Sequence, residues 1–201
     1  MANVNNHSLA ADLQHALRSC VVLDLETTGL DPERERIIEI GALRIENGEV
    51  ADSFHALVNP QQSLPAFVVE LTGLQDSHVA HADTMDAVLP SLQRFLTAVG
   101  PQPVLVGHNV NFDISFLAAE AKRADSTQWD FLERTPSICT AENSRQLISR
   151  ERVGRYKLGN VAAHLDTAHR PSHRALDDAQ ATFEVLVGLA DLSRRHTPPP
   201  A

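Results

Sequence analysis

Residues 21–30 read VVLDLETTGL. Val21, Val22, Leu23 and Leu25 mark a buried strand, yet Asp24 and Glu26 sit inside the run. Side chains alternate between the two faces of a strand, so these carboxylates project from the same side. Burying like charges as neighbours is costly unless something positive compensates them. Fold and function both turn on what sits opposite them.

Working outward, Leu9, Leu13, Ala16 and Leu17 share one helical face, which predicts a short amphipathic helix over 8–18 before the strand at 20–26. After it, IIEIGALRIENGEVADSFHALVNP holds two apolar-rich runs around Asn47-Gly48, a strong hairpin signal. Three antiparallel strands therefore come early. Asn59-Pro60 and Pro65 break the chain, and a helix begins near Asp86. PQPVLVGHN reads as a short buried strand, parallel to the first because a helix separates it from the hairpin. The spacing predicts a helix from Phe112 to Arg123 with Asp113 in its first turn, and shorter helices over 141–149 and 158–165. In the last helix Leu176, Ala179, Phe183, Leu186, Val187 and Ala190 form one stripe. This order describes an α/β domain, a mixed sheet of three antiparallel strands and then parallel ones, flanked by helices. Residues 1–19 are expected to be a helical extension, 20–193 the domain, and 194–201, ending in HTPPPA, a disordered tail or a linker.

The chain has 201 residues, enough for one domain with a sizeable core, and its 43% hydrophobic and 21% charged content is ordinary for a globular protein. No apolar run approaches the ~18 residues of a membrane span, and the opening MANVNNHSLAADL lacks the pattern of a signal peptide. Cys20 and Cys139 form no C-x-x-C pair, so the expectation is a reduced, cytoplasmic protein with no membrane partner. A net charge of -9 argues at first against nucleic acid. Residues 143–174, however, carry seven basic side chains (Arg145, Arg150, Arg152, Arg155, Lys157, Arg170, Arg174) against two acidic ones. This band could track a phosphate backbone or be a solvated helix face.

Other acids also fall where polar faces are not expected. Asp113 follows the second buried strand, and Asp178 lies in the last helix, five residues after His173. Asp113 could instead serve the helix macrodipole, and Asp178, beside Asp177, could be a surface charge of a first turn. Divalent metal binding would unite all four carboxylates. Hard cations such as Mg²⁺ take carboxylate oxygens together with substrate phosphates, and two ions about 4 Å apart can flank a scissile phosphate. Four carboxylates neutralise two such ions, and a histidine is suited to take a proton from water.

Three stretches carry a specific resemblance. Asp24-x-Glu26-Thr27-Thr28-Gly29, His108-Asn109-x-x-Phe112-Asp113 and His173-Arg174-Ala175-x-x-Asp178-Ala179 resemble the three motifs of the DEDDh family of 3'–5' exonucleases, which have a ribonuclease H-like fold. IIEIGALRI, LVNP, LTGL and Lys157-Leu158 resemble the same family, so the similarity covers about residues 20–190. It implies that Asp24, Glu26, Asp113 and Asp178 are metal ligands for two Mg²⁺ or Mn²⁺ ions and that His173 is the general base. It further implies that Thr27 meets the terminal nucleotide, that Leu71, Thr72 and Leu74 lie near the last base, and that Asn109 and Phe112 shape the pocket. The tyrosine branch of the superfamily would put its base at position 174, which is Arg174, and the chain's one tyrosine is Tyr156; the histidine branch fits. Many relatives have Asp-Thr at Cys139-Thr140, and Cys139 is expected to be a buried structural residue. His78 and His81 lack the further ligands a zinc site needs.

The implied activity is hydrolysis of the terminal phosphodiester, releasing nucleoside 5'-monophosphates. The run E-T-T-G-L resembles the proofreading exonucleases of bacterial replicative polymerases, which favours the 3' end of DNA as substrate and a DNA polymerase as partner. An RNA exonuclease of the ribonuclease T or oligoribonuclease kind and a catalytically silent polymerase-associated module are the alternatives.

Overall fold

Alternation along the first strand organises the molecule. In the computed structural model, which describes residues 3–100 and 103–196, β1 (Ser19–Thr27) is the central strand of a five-stranded sheet of order β3-β2-β1-β4-β5. β2 (Ile37–Glu46) is antiparallel to β1 and to β3 (Glu49–Leu57). β4 (Leu105–Gly107) is parallel to β1 and to β5 (Ser137–Cys139). The hairpin turn falls at Asn47 and Gly48, whose φ of 54° and 82° match the twist of the flanking strands.

The helices follow as α1 (Asn3–Arg18), α2 (Ala66–Thr72), α3 (Asp76–Val79), α4 (Met85–Thr97) and α5 (Val110–Arg123). After a 3-10 helix over Thr127–Arg134 come α6 (Thr140–Leu147), α7 (Arg150–Val153), α8 (Leu158–His164) and α9 (Ala175–His196). They cover both faces of the sheet. Val21, Leu23 and Leu25 of β1 enter one core with Leu92 and Leu96 of α4 and Phe116 and Leu117 of α5. Cys20 and Val22 enter the other with Leu13 of α1, Val161 of α8 and Phe183, Leu186 and Leu189 of α9. Each such side chain, fully buried, contributes about 1.5–3 kcal/mol.

The second face changes character along its length. Cross-strand partners on it run Cys20 with Ile45, Val22 with Leu43, Asp24 with Gly41 and Glu26 with Glu39. It is apolar at one end, where α9 packs by its stripe, and acidic at the other, where α9 begins. Gly41 is what lets the helix start there. A Cβ on it would lie 2.2 Å from the Ala175 carbonyl carbon and 2.3 Å from the Leu176 nitrogen, so α9 touches bare backbone.

The predicted α/β order, the early antiparallel strands, the parallel β4 and the helices over 112–123, 141–149 and 158–165 are present, with boundaries shifted by a few residues. Five elements have no counterpart in the sequence reading: α2 and α3 before α4, the 3-10 helix, β5 and α7. All are too short for a hydrophobic period to repeat. The expected helical extension is built into the second core through Leu9, Leu13 and Ala16. Arg194, Arg195 and His196, expected to open a disordered tail, continue α9, and residues 197–201 lie outside the described residues. Cys139 is half-buried rather than buried, because β5 is an edge strand. Among the described residues no helix is long and apolar enough to cross a membrane.

Gly41→Ala should force α9 off the sheet, and overpacking of this kind costs about 1–3 kcal/mol. Urea denaturation should show that loss; a variant as stable as the parent would mean that α9 shifts freely.

Candidate active site

Three elements deliver four carboxylates to one end of β1. Asp24 and Glu26 stand on the second face of that strand. Asp113 comes from the first turn of α5, which follows the cap residue Asn109, and Asp178 from the first turn of α9. Glu26, Asp113 and Asp178 are buried and Asp24 half-buried. The Ser172 backbone N–H donates to Asp178 at 2.8 Å, and the Ser172 hydroxyl donates to Asp177 at 2.8 Å, which holds the turn preceding α9. Within that turn His173 has a φ of 59°, a left-handed conformation that swings its exposed ring toward the acids. Ligand atoms of Glu26, His173 and Asp178 all lie within 4.8 Å of one another.

The electrostatics are those of a site built for positive charge. Burial pushes the Glu26 carboxyl up to about 8, with Asp178 and Glu39 adding to the rise and Arg174 opposing it. Burial also raises Asp24 well above the carboxylate range, reinforced by Asp113, Asp178, Glu26 and Glu39. Asp113 is raised by burial too, offset in part by its own backbone N–H and that of Leu25. Asp178 is raised by burial against the Ser172 N–H and His173. Burial thus raises all four acids and Asp24 feels the other three, and hard oxygen donors in such a cluster fit a divalent cation.

Beside this cluster lies an ion-pair network that the sequence reading missed. Glu39, cross-strand from Glu26 and 1% exposed, receives Arg174 Nε and Nη2 at 2.8–3.2 Å. The Ala175 N–H donates to it at 3.2 Å, and His55 Nε2 lies 2.7 Å away. Arg174 is therefore engaged in fixing the start of α9. Arg170 is likewise engaged, with the Ala162 and Thr167 carbonyls and with Asp166. A second buried pair, Arg36 with Glu120 at 2.8 Å, ties the chain after β1 to α5. The signals in sequence were Glu39 two residues before Gly41 in IIEIGALRI and Arg174 adjoining His173; pairing across 135 positions is invisible without the fold.

The residues expected to meet nucleotide are placed unequally. Thr27 is half-buried and its hydroxyl donates to the Gly29 carbonyl at 2.6 Å, while buried Thr28 receives the Arg36 N–H at 2.9 Å. These bonds hold the turn after β1. Leu71 is exposed on α2 one turn from exposed Phe67. Thr72, by contrast, is 6% exposed, donates to the Val68 carbonyl and accepts from the Leu74 N–H, so its side chain serves the helix end. Leu74 is buried as well. Asn109, at φ 74°, opens α5 on the surface, and half-buried Phe112 stacks on Phe116 at 4.7 Å. Tyr156 donates its hydroxyl to the Ile148 carbonyl and takes no place among the carboxylates. His78 accepts the Gln75 N–H, a capping contact. A cavity of about 520 Å³ between α5 and the 3-10 helix, lined by Ile114, Ser115 and Trp129, holds none of the acids. The site is an open acidic shelf.

The exonuclease family model, RNase_T, matches residues 21–186. The chain belongs to the exonuclease family. Within that family, DNA polymerase III subunit epsilon of Aquifex aeolicus is 32% identical over 85% of this chain and 80% of its own length. DNA polymerase III PolC-type of Caldanaerobacter subterraneus is 38% identical over 85% of this chain and 11% of its own length. The chain spans little more than a tenth of the length of such PolC-type relatives, and 26% of a Mycobacterium tuberculosis protein named as an exonuclease/endonuclease. In fold it resembles E. coli Exonuclease I solved with a dA16 oligonucleotide, at a TM-score of 0.72, 16% identity, 89% of this chain and 42% of that one. It also resembles the nuclease domain of 3'hExo bound to rAMP, a DEDDh family member, at 0.65, 21% identity, 85% of this chain and 90% of that one.

Glu26 holds its proton in the folded state between about 4.5 and about 8, where the unfolded chain has lost it. That contribution to stability is present at acid pH and is lost as pH rises through the folded value. In chelator, the melting temperature should fall from pH 5 toward pH 8, and divalent cation should restore it; a flat chelator profile would contradict the geometry. Arg174→Ala should cost about 1–3 kcal/mol by leaving Glu39 short of a charged donor, with Arg174→Lys recovering part because it lacks the guanidinium fork. Urea denaturation checks both variants.

Proposed function

We propose that the chain is a metal-dependent 3'–5' exonuclease that removes nucleoside 5'-monophosphates from the end of a DNA strand. The observation that carries this reading is the cluster of Glu26, Asp178 and His173, whose ligand atoms lie within 4.8 Å of one another, with Asp24 and Asp113 near enough for their charges to bear on the same acids. Two divalent ions, Mg²⁺ or Mn²⁺, would supply charge at the attacking and leaving oxygens of the phosphodiester. The four carboxylates are their ligands in this reading. Their mutual repulsion, felt as raised proton affinity, is what a cation relieves.

The rest follows from this chain's own groups. His173 takes a proton from the attacking water, and its exposed, left-handed turn lets the ring meet the solvent from which that water comes. Arg174 and Glu39 keep that turn against the sheet. Leu71, with Phe67 beside it, offers an apolar surface to the last base, and Asn109 and Phe112 adjoin Asp113 at the start of α5.

DNA is favoured over RNA because the relatives include subunits of DNA polymerase III, and the same relatives suggest a cytoplasmic DNA polymerase as partner. The fold shared with 3'hExo bound to rAMP and with a 3'-exonuclease that recognises a histone mRNA stem-loop keeps RNA as the second reading. A catalytically silent module is disfavoured because all four acids and His173 are present.

Matched 3'-labelled DNA and RNA strands, with and without chelator, should show cation-dependent loss of the 3' label, faster on DNA. A large preference for RNA would reverse the substrate order. Asp24→Ala or Asp178→Ala should lower the rate by a hundredfold or more, since a ligand to such an ion supplies several kcal/mol, at about 1.4 kcal/mol per tenfold. Wild-type turnover in either variant would sink the assignment.

A further inference from the structure

We propose that Arg145, Arg150, Arg152, Arg155 and Lys157 form a phosphate track that grips the nucleic-acid strand upstream of the end being cleaved. The inference rests on the exonuclease reading and adds to it a second contact region, outside the carboxylate shelf.

The first observation is one of charge. Arg34, Arg36, Arg44, Arg123, Arg170, Arg174 and Arg194 each have a carboxylate within ion-pair distance. None of the five cations between 145 and 157 has one among the described residues, although the chain carries a net charge of -9. All five are exposed. Among the described residues Arg18, Arg94, Lys122, Arg134 and Arg195 have no such carboxylate either, but they are scattered along the chain, whereas these five fall within thirteen residues with Glu151 as the one acid among them. It is this grouping that suits an anion from outside.

The second is rigidity. Asn160 Nδ2 donates to the Val153 and Arg155 carbonyls, each at 3.0 Å. Gly154, at φ 65°, closes α7 by donating its N–H to the Arg150 carbonyl at 2.7 Å. The Tyr156 hydroxyl donates to the Ile148 carbonyl at 2.7 Å, and the Arg145 guanidinium lies 5.5 Å from the Tyr156 ring centroid. A merely solvated face has no need of such anchoring. Here the backbone beneath the cations is fixed before any ligand arrives, which lowers the entropy lost on binding.

The third is position. His108 Nε2 donates to the Tyr156 carbonyl at 2.9 Å, because a carbonyl only accepts, and its Nδ1 accepts the Thr140 hydroxyl at 2.9 Å. His108 directly precedes Asn109, which opens the helix carrying Asp113. One imidazole thus joins the basic segment to the loop beside the carboxylates. A strand whose terminal phosphate lies on the acidic shelf meets like charge there, and cations next along the path offset that repulsion. Regularly spaced phosphates suit them, since guanidinium groups bind phosphate by paired hydrogen bonds.

The test is strand binding in chelator, which needs no turnover. Fluorescence anisotropy with labelled single-stranded DNA of increasing length should show affinity that rises with length and falls with salt. Each phosphate contact on a single strand contributes about 0.7 to the slope of log affinity against log salt. The triple variant Arg150→Gln/Arg152→Gln/Arg155→Gln should therefore lower that slope by about 2 and remove most of the length dependence. Its hydrolysis of an aryl ester of a nucleoside 5'-monophosphate, which has no upstream phosphate, should stay at the parent rate, and this also shows that the variant folds. Parental slope and affinity on the longest strand would overturn the track. So would unchanged strand binding with loss of capture by a DNA polymerase, which would make the band a protein-docking surface. If the parent with cation cleaves neither ester nor strand, yet the triple variant alone loses length-dependent binding, the catalytic reading fails and the track stands.

Discussion

Four carboxylates that repel one another share the end of one strand, and the domain is arranged to keep them there. The repulsion is visible in Asp24 and Glu26, whose proton affinity is raised by burial and by their neighbours. Left to itself, such a cluster would open into water, where each charge is solvated. It stays closed because the same strand buries Val21, Leu23 and Leu25 on one face and Cys20 and Val22 on the other. The apolar part of β1 holds the acidic part in place.

The surrounding structure works in the same direction. Gly41 lets α9 lie directly on the sheet, so Asp178 is carried in on a helix whose far length is anchored in the second core. Glu39 takes Arg174 and the Ala175 N–H, which sets where that helix begins. Arg36 and Glu120 tie the chain beyond β1 to α5, the element that brings Asp113. Each acid of the proposed ion site thus stands on an element held by a contact outside the site. Precision of this kind is what keeps ligand atoms of Glu26, His173 and Asp178 within 4.8 Å of one another.

Much of this was legible from residues. The apolar run around Asp24 and Glu26 marked β1 and put both acids on one face, and Asn47-Gly48 marked the hairpin. Asp113 in the first turn of α5 and the stripe of α9 followed from helical spacing. Other features were not legible, for separate reasons. α2, α3, α7 and β5 are too short to show a period, yet α2 presents Leu71 and removes Thr72 from the surface. The seven-membered basic band looked uniform in sequence, and only the partners of Arg170 and Arg174 divide it into cations paired with a carboxylate and cations with none among the described residues.

Local chemistry needs no fold to be read: a strand's alternation, a turn's glycine and the identity of a carboxylate are properties of neighbouring residues. From these the α/β class and the membership of Asp24, Glu26, Asp113, His173 and Asp178 in one family pattern were already present in the chain. Proximity is different. That Glu39 faces Glu26, that Arg174 closes onto it, that Gly41 carries α9, and that His108 bridges to Tyr156 depend on strand register and helix packing. Those contacts join residues up to 136 positions apart, and only the closing of the sheet and its two cores brings them within hydrogen-bonding distance.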